Sequence, residues 1–292
     1  MTTALKEPKI QELEVHKVDA VVAEQEYSAL ASLLALGSKL SLLRLMVQRD
    51  FIGRYKGSML GALWPFLNPL GHMILYTFLF SIILKVRFTS TGNVGDFAMY
   101  LMAGYLPWTA TGEALSMASK KILDEPNLVK RVVFPLELLP LMVAISSFLS
   151  CAIALGLLVV FILVMTHNLH ITMILVPLVF LSQFLFTAGL CWLLSALGVF
   201  LRDIQHFIAL ALSAWMYATP IIYPAEMVPE FLKFTLWINP MAGIILDYRH
   251  LMLEGKWMDP WMYLCYTSIS LVTFLGGYYL FHKMKRSFAD VV

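Results

Sequence analysis

Six long apolar segments set the hydrophobic pattern of this chain. A transmembrane helix needs about 20 largely apolar residues. The segments that meet this requirement are Leu63–Leu84, Phe97–Ser119, Leu136–Met165, Ile171–Phe200, Phe207–Tyr223 and Trp261–Phe281. The third and fourth, at about 30 residues and 1.5 Å per residue, exceed a hydrocarbon core of roughly 30 Å, so we expect them to tilt or project. The pattern predicts an all-α integral membrane protein with six transmembrane helices.

Polar sequence precedes the first apolar segment. Residues 1–27 carry nine charged side chains and no apolar core, so we expect a flexible polar tail and no cleavable signal peptide. Residues 28–62 contain an apolar stripe at helical spacing, which predicts an amphipathic helix at the cytoplasmic surface. The stripe consists of Leu36, Leu40, Leu43, Val47 and Phe51. Residues 63–292 then form the six-span domain.

The junction between these two regions contains two glycines, Gly57 and Gly61. Their spacing is that of a small-xxx-small step, which favours close helix packing. The same glycines allow a tight bend from the surface into the membrane. Trp64 follows at the expected membrane interface, and Pro65 suits the first turn of a helix.

The composition agrees with a lipid environment. Hydrophobic residues make up 60% of the 292 residues and charged residues only 14%, whereas roughly a quarter of a soluble domain is charged. The positive-inside rule sets the orientation. With a cytoplasmic N-terminus, thirteen Lys and Arg residues fall in the inside flanks and five in the outside flanks. We therefore expect both termini in the cytoplasm.

One apolar region fits no simple span. Between the fifth and sixth segments, Tyr223–Leu253 is apolar and aromatic but is interrupted by three prolines and several charges. Two short re-entrant helices that dip into the outer leaflet are one interpretation, because such backbone is tolerated where protein covers it. A helix that lies on the membrane surface fits the periodicity equally well.

The loop between the second and third spans, Ser119–Pro140, has the signals of a short helix. Asp124 is a candidate N-cap and Pro126 suits the first turn. Basic side chains at Lys130 and Arg131 suit the far end of the helix dipole. We expect a short helix parallel to the membrane that serves as a docking surface. An ordinary basic loop that only sets the topology is the alternative.

No catalytic or metal-binding constellation is evident, and the sequence lacks the glycine-rich phosphate loop of an ATPase. Ionisable residues at membrane depth are the remaining candidates. His72, Glu113 and Asp247 can serve as a proton relay or can lie near the interface. For Glu113 we favour an interface or a wet cavity. Aromatic residues are plentiful, and most suit interface belts and packing, while a minority suit the C–H faces of sugar rings along a transport path.

Six blocks of sequence, in order, carry a resemblance to a known family. They are "RDFIGRYKGSMLGALWPFLNPL", "NLVKRVVFPLELLP", "FLRDI", "ATPIIYPAEMVPE", "INP" and "SFADVV". From Leu36 to the C-terminus the chain resembles the permeases of type-2 ABC exporters. The branch in question exports O-antigen, capsular polysaccharide or teichoic acid.

The resemblance implies a permease, not an enzyme, in the bacterial cytoplasmic membrane. It implies a homodimer, a separate ABC ATPase that binds ATP and Mg²⁺, and a lipid-linked polysaccharide that passes between the two permeases. No cofactor, metal or nucleic acid is expected on this chain. The ATPase-coupling helix would comprise Asp124, Glu125, Asn127, Leu128, Lys130, Arg131 and Phe134. The gate helix at the lipid head group would comprise Arg49, Arg54, Tyr55 and Lys56. The polymer path would comprise Trp64, Asn68, Tyr76, Tyr105, Trp108, Trp215 and Tyr217.

Three other functions remain open from sequence. A type-2 ABC permease for a drug or small lipid shares the same topology and differs only in substrate. A proton-coupled carrier would use Glu113, His72 or Asp247. A membrane-embedded transferase would need an acid, base or metal cluster, and the sequence offers none to support it.

Overall fold

Every regular element in the part of the chain that the structure describes is helical. The computed structural model describes residues 37, 39–83, 96–130, 134–201 and 203–291. The predicted tail and Arg131 lie outside these residues. The chain divides into two units, Met1–Leu45 and Met46–Val292. The first is described only near its end, where helix α1 begins, and the contacts below belong to the second.

The helices of the described residues are numbered in chain order. They are α1 Leu40–Gly53, α2 Trp64–Tyr76, α3 Asp96–Lys121, α4 Pro126–Val129, α5 Leu138–Thr166, α6 Val176–Phe200, α7 Ile204–Ala218, α8 Phe234–Ile238, α9 Pro240–Arg249, α10 Pro260–Met284 and α11 Phe288–Val291. Two π-helical segments, Thr77–Ile83 and His250–Glu254, continue α2 and α9, and a 3₁₀ turn at Ile171–Leu175 leads into α6.

Each of the six predicted spans contains helix, and the prediction of an all-helical chain is confirmed for the described residues. Three helical segments are long and apolar enough to cross a membrane: Leu138–Thr166, Ile171–Phe200 and Pro260–Ser287. Many large apolar side chains on these helices are exposed, as expected for surfaces that face lipid.

The fifth predicted span is shifted. The sequence placed it at Phe207–Tyr223, whereas α7 is a 15-residue helix that ends at Ala218. The reason is Pro220, which disfavours helical backbone at the residue before it. Thr219 accordingly adopts an extended conformation, with φ −106° and ψ 136°.

The region between α7 and α10 is a series of short elements. Two 3₁₀ turns, Ala225–Met227 and Glu230–Leu232, precede α8 and α9. The Asn239 side chain caps α9 by accepting from the backbone N–H of Met241 at 3.2 Å. Proline breaks and caps of this kind keep each helix short.

Helices α6 and α10 cross in direct backbone contact. A Cβ added at Gly277 would lie 2.1 Å from the carbonyl oxygen of Gly189. A Cβ added at Gly189 would lie 2.3 Å from the carbonyl oxygen of Thr273. Small residues allow this approach, which is how helices pack tightly in a membrane.

A buried polar network holds α3 against α6 and α9. The Gln183 amide donates to the carbonyl of Pro107 at 2.7 Å and to Oγ1 of Thr111 at 3.0 Å. The hydroxyl of Tyr248 donates to Oε1 of Gln183 at 3.0 Å. Since buried polar groups need partners, this network fixes the rotation of α3, the helix that carries part of the candidate site.

Arg249 is the second buried anchor of this region. Its side chain lies in the interior, and the whole residue is only 1% exposed. It donates to the carbonyls of Pro220 and Ile221 at 2.6 Å each, and to the carbonyl and hydroxyl of Tyr100 at 3.2 and 2.8 Å. The guanidinium therefore joins α9 to α3 and to the segment after α7.

The end of the bundle where α3, α6 and α10 finish and α5 begins carries several charges. We call it the charged end. Lys285 lies 3.3 Å from the carboxylate of Glu137, which precedes α5. Phe288 is fully buried and packs against Phe200 and Phe281, with ring centroids 6.0 and 5.5 Å apart. The last helix is thus part of the packed fold.

Candidate functional site

A cleft of about 270 Å³ opens between α2, α3 and α5. Helix α3 contributes Tyr105, Thr109 and Glu113. These residues are four apart, so they form one stripe on one face of the helix. The stripe presents a phenol ring, a hydroxyl and a carboxylate to the cleft.

Helix α2 lines the opposite wall. Pro65, Asn68, Pro69 and His72 face the cleft at spacings of three, one and three. Pro69 has no N–H and cannot donate to the carbonyl of Pro65. The Nδ1–H of His72 donates to the carbonyl of Asn68 at 2.8 Å. This wall is therefore polar, although it belongs to a predicted span.

The third wall comes from α5. Ser147, Ser150, Cys151 and Ala154 repeat the same helical spacing. Tyr55, which follows α1, also lines the cleft. Hydroxyl groups thus surround the space on several sides.

Aromatic rings stack around one wall of the cleft. The ring of Tyr105 lies 5.6 Å from that of His72 and 5.7 Å from that of Tyr76, the latter edge-on at 84°. Such edge-to-face contacts hold rings in place. The combination of fixed rings, hydroxyls and one carboxylate suits a ligand that has both hydroxyl groups and apolar C–H faces.

An ion-pair chain reaches the cleft from the charged end of the bundle. Lys121 lies 3.8 Å from Asp50, and Asp50 lies 3.0 Å from Arg54, one helical turn further along the chain. Arg54 in turn pairs with Glu113 in the cleft and donates to Oγ of Ser147 at 3.1 Å. We call Lys121–Asp50–Arg54–Glu113 the charge chain. It joins α1, α3 and α5 through one longer ion pair, Lys121–Asp50, and through charge-assisted hydrogen bonds of Arg54.

Helix α4 lies in the loop where the sequence predicts a docking surface. The loop from Asp124 to Lys130 is called the docking loop below. Val129 is buried, whereas Asp124, Asn127 and Lys130 are exposed. The helix is thus seated by one apolar residue and presents polar side chains outward.

The start of this short helix differs from the sequence expectation. Its N-cap position is Glu125, not Asp124, and no side chain caps it. The Glu125 carboxylate instead lies 3.5 Å from Lys121. An ion pair with the preceding helix has replaced the capping bond, since α3 extends to Lys121 and brings that ammonium within reach.

Comparison with known proteins identifies the family of the chain. A model of the family described as "ABC-2 type transporter" matches residues 41–252. The chain belongs to the ABC-2 type transporter family. It is 30% identical over 251 residues to the O-antigen export system permease protein RfbA of Myxococcus xanthus, covering 85% of this chain and 94% of that protein. A protein with the same description from Klebsiella pneumoniae is 29% identical over 264 residues, which cover 88% and 97% of the two chains.

Family membership and the apolar helices together make this ABC-2 transporter chain a multi-pass membrane protein. The family also implies an ABC ATPase as its partner. The resemblance found from the six sequence blocks is confirmed by the match to the family model, which covers most of the chain.

The predicted path residues of this ABC-2 transporter chain do not form one group. Asn68 and Tyr105 line the cleft, and Tyr76 packs against Tyr105. Trp108 and Trp215 instead pack edge-on with centroids 5.2 Å apart, and Trp215 Nε1 donates to Asn239 at 3.0 Å. Trp108 is buried and Trp215 is partly buried against it, so this tryptophan pair packs within the bundle and does not line the cleft.

The other two path candidates lie elsewhere. Trp64 Nε1 donates to Oγ of Ser58 at 2.5 Å, next to the bend before α2. Tyr217 is 65% exposed near the end of α7, and its carbonyl accepts from the hydroxyl of Tyr223 at 2.8 Å. Neither lines the cleft.

The predicted gate residues also separate. Arg49 and Lys56 are exposed, as a head-group contact requires. Arg54 is held by Asp50, Glu113 and Ser147 inside the charge chain. Tyr55 faces the cleft.

Sequence reasoning did not select Asp50, Lys121 or Ser147 as site residues. One signal was present, because Asp50 and Arg54 are four residues apart on a helix, where opposite charges pair. The spacing of Tyr105, Thr109 and Glu113 was a second signal. Their convergence with Ser147 depends on how α3 packs on α5, which no local pattern contains.

Proposed function

We propose that this chain is the membrane subunit of an ATP-driven exporter that moves a lipid-linked polysaccharide, of the O-antigen class, across the bacterial cytoplasmic membrane. The observation that carries the proposal is similarity over 85% or more of the chain to permeases described as O-antigen export proteins. The chain acts as a translocation subunit and not as an enzyme.

The proposed assembly is a homodimer of this chain with two copies of an ABC ATPase. ATP and Mg²⁺ bind to the ATPase subunits. Six spans place both termini in the cytoplasm, and the short helices between α7 and α10 dip into the outer leaflet. The positive-inside count supports this orientation.

The docking loop is the proposed site of ATPase coupling. Its short helix α4 is seated by buried Val129 and exposes Asn127, and the flanking residues Asp124 and Lys130 are also exposed. An exposed, structured loop of this kind suits a protein interface, because charge complementarity sets partner choice and orientation.

The cleft is the proposed contact surface for the sugar chain. Tyr105 offers a ring face, and Asn68, Thr109 and Ser150 offer hydrogen-bonding groups. Arg49 and Lys56, both exposed at and just after the end of α1, are the proposed contacts for the anionic head group of the lipid carrier.

The assembly itself is tested by purification and by gene deletion. We expect the chain to co-purify with an ABC ATPase from the same cells, and deletion to leave polymer in the cytoplasm and none at the surface. A chain that never binds an ATPase would rule out the proposal. Normal surface polysaccharide after deletion, with loss of export of a drug or small lipid, would favour that other substrate class.

The docking loop makes a separate prediction. We expect the double substitution Asn127→Arg and Lys130→Glu to weaken binding of the ATPase by about tenfold or more, since charged residues placed wrongly at an interface cost several kcal/mol. Pull-down with the purified ATPase measures the loss. Lys233→Glu, also a charge reversal but in the region between α7 and α10, is the control and should bind normally. If the double variant binds the ATPase as tightly as the unmodified chain does, the docking loop is not part of the interface.

The cleft makes a prediction about the sugar path. We expect Tyr105→Ala to reduce export several-fold, because stacking of a ring on an aromatic side chain contributes about 1 kcal/mol or more. Tyr105→Phe keeps the ring and should export almost normally. Tyr279→Ala, an exposed tyrosine on α10, is the matched control. Surface polysaccharide, normalised to the amount of chain in the membrane, is the readout, and normal export by Tyr105→Ala would exclude the ring from the path.

A further inference from the structure

We propose that the charge chain links the position of the docking loop to the cleft, and that Asp50 and Glu113 are positioning residues for export. This inference rests on the proposed function, because it assigns a role to residues between the ATPase contact and the sugar contact. It gives a role to Asp50 and Glu113, to which neither the family match nor the sequence blocks assign one.

The first contact of the charge chain is made by Lys121, next to the docking loop. Lys121 is the last residue of α3, and its ammonium lies between two carboxylates, 3.5 Å from Glu125 and 3.8 Å from Asp50. Glu125 belongs to the docking loop, while Asp50 belongs to α1. A displacement of the loop therefore changes the position of Lys121 relative to α1.

The second contact of the charge chain joins Asp50, on α1, to Arg54, the residue directly after α1. The Asp50 carboxylate accepts from Nε of Arg54 at 3.1 Å and lies 3.0 Å from its Nη2. Both side chains are largely buried, at 8% and 9% exposure. The guanidinium is planar and rigid, so two contacts from one carboxylate fix its orientation. Asp50 thus determines where the other nitrogen of Arg54 points.

The third step reaches the cleft. Nη1 of Arg54 pairs with Glu113 and donates to Oγ of Ser147 at 3.1 Å, while Nη2 lies 3.4 Å from the carbonyl of Val143. Arg54 therefore contacts both α3 and α5, two of the three helices that line the cleft. Moving it requires new partners for buried groups, so discrete arrangements are favoured over gradual sliding.

Glu113 is the end of the chain that a ligand can reach. Its side chain is 44% exposed, in contrast to Asp50 and Arg54, and it lines the cleft together with Ser147. A hydroxyl-bearing ligand can donate hydrogen bonds to this carboxylate and compete with Arg54. By linkage, a ligand that changes the Arg54–Glu113 pair and a partner that moves the docking loop must influence each other.

The test uses the full chain in complex with its ATPase, in membranes. We expect Asp50→Asn to leave assembly of the complex and basal ATP hydrolysis unchanged but to lower export by about fivefold to 150-fold, the usual range of coupling between two sites. Asp50→Glu, which restores the charge, should recover most of the export. Lys121→Gln should also lower export, and the double variant with Asp50→Asn should be no worse than the stronger single variant, since both break the same chain.

A second readout separates coupling from simple damage to the structure. The three native cysteines are replaced by alanine and Ser150, in the cleft, is replaced by cysteine. We expect its labelling rate with a charged maleimide to differ between the nucleotide-free complex and the vanadate-trapped complex. In the Asp50→Asn background this difference should disappear. Glu230→Gln, which removes an ion pair with Lys233 remote from the cleft, should preserve it.

Each outcome decides the matter. The inference would be overturned by normal export in Asp50→Asn or by additive losses in the double variant. It would also be overturned if the labelling rate of Ser150→Cys were the same in the nucleotide-free and vanadate-trapped complexes. These results are distinct from failure of the proposed function. In that case the unmodified chain itself would neither bind an ATPase nor export polymer.

Discussion

Replacement of Arg249 by methionine is expected to prevent the chain from accumulating in a folded form. Arg249 supplies the donors for the carbonyls of Pro220 and Ile221 and contacts Tyr100 through two further hydrogen bonds. Methionine has a similar length but no donor. Each buried carbonyl left without a partner costs about 1–3 kcal/mol, and the whole native state is favoured by only about 5–15 kcal/mol. The loss therefore takes a large fraction of the stability.

Three companion variants make this prediction specific. Arg249→Lys keeps the charge but has a single point of hydrogen bonding, so it cannot span the carbonyls that the guanidinium reaches, and we expect an intermediate loss. Tyr100→Phe removes one hydroxyl and should cost less than either. Arg286→Met, at an exposed position, is the matched control. Thermal stability of the detergent-solubilised chain, followed by size-exclusion chromatography, gives the ranking, and a wild-type melting temperature for Arg249→Met would contradict it.

The case of Arg249 shows where sequence reasoning reaches its limit. In the sequence this residue counts as one more basic side chain in an outer flank, where an arginine normally meets water or lipid head groups. Its burial depends on the carbonyls after α7, which become available because Pro220 ends that helix early. Arg249 and the carbonyls of Pro220 and Ile221 are about 30 residues apart in the chain, and only the tertiary fold brings them together.

The helices themselves were largely predictable. Uninterrupted apolar runs bounded by charges and prolines define α5, α6 and α10 within a few residues, because burial in lipid requires the backbone to satisfy its own hydrogen bonds. The aromatic residues were harder to assign. Trp108 and Tyr105 are three residues apart on α3, yet Tyr105 faces the cleft and Trp108 packs on Trp215. The Gln183 network fixes the rotation of α3 and so decides which of its side chains face the cleft.

Glycines give a similar contrast. The spacing of Gly57 and Gly61 matched both close helix packing and a bend, and the structure supports the bend. Their φ angles are +93° and +42°, and a Cβ at either would meet open space. The close approach occurs instead between Gly189 and Gly277, which lie on helices far apart in sequence. A small residue alone does not reveal which neighbour it will meet.

We expect Gly277→Ala to destabilise the chain and Gly276→Ala, its neighbour on α10, to leave stability unchanged or improved. A Cβ at Gly277 would lie 2.1 Å from a backbone carbonyl oxygen of α6, whereas a Cβ at Gly276 would meet nothing within 4 Å. Both changes gain about the same intrinsic helix propensity, roughly 1 kcal/mol. The difference in stability between the two variants therefore reports only the close contact between α6 and α10.

The size of the destabilisation by Gly277→Ala depends on which atoms must move to make room for the new Cβ. The oxygen at Gly189 belongs to the helix backbone and cannot rotate away, so the two helices must separate, and overpacking of this kind costs about 1–3 kcal/mol. Compared with Gly276→Ala, which has the same gain in helix propensity, this cost corresponds to a melting temperature that is lower by several degrees in a chain of this size. Gly277→Leu should enlarge the loss, since a longer side chain needs a wider separation. Equal melting temperatures for Gly276→Ala and Gly277→Ala would show that α6 and α10 do not cross in backbone contact, and the packing described for this pair would then be wrong.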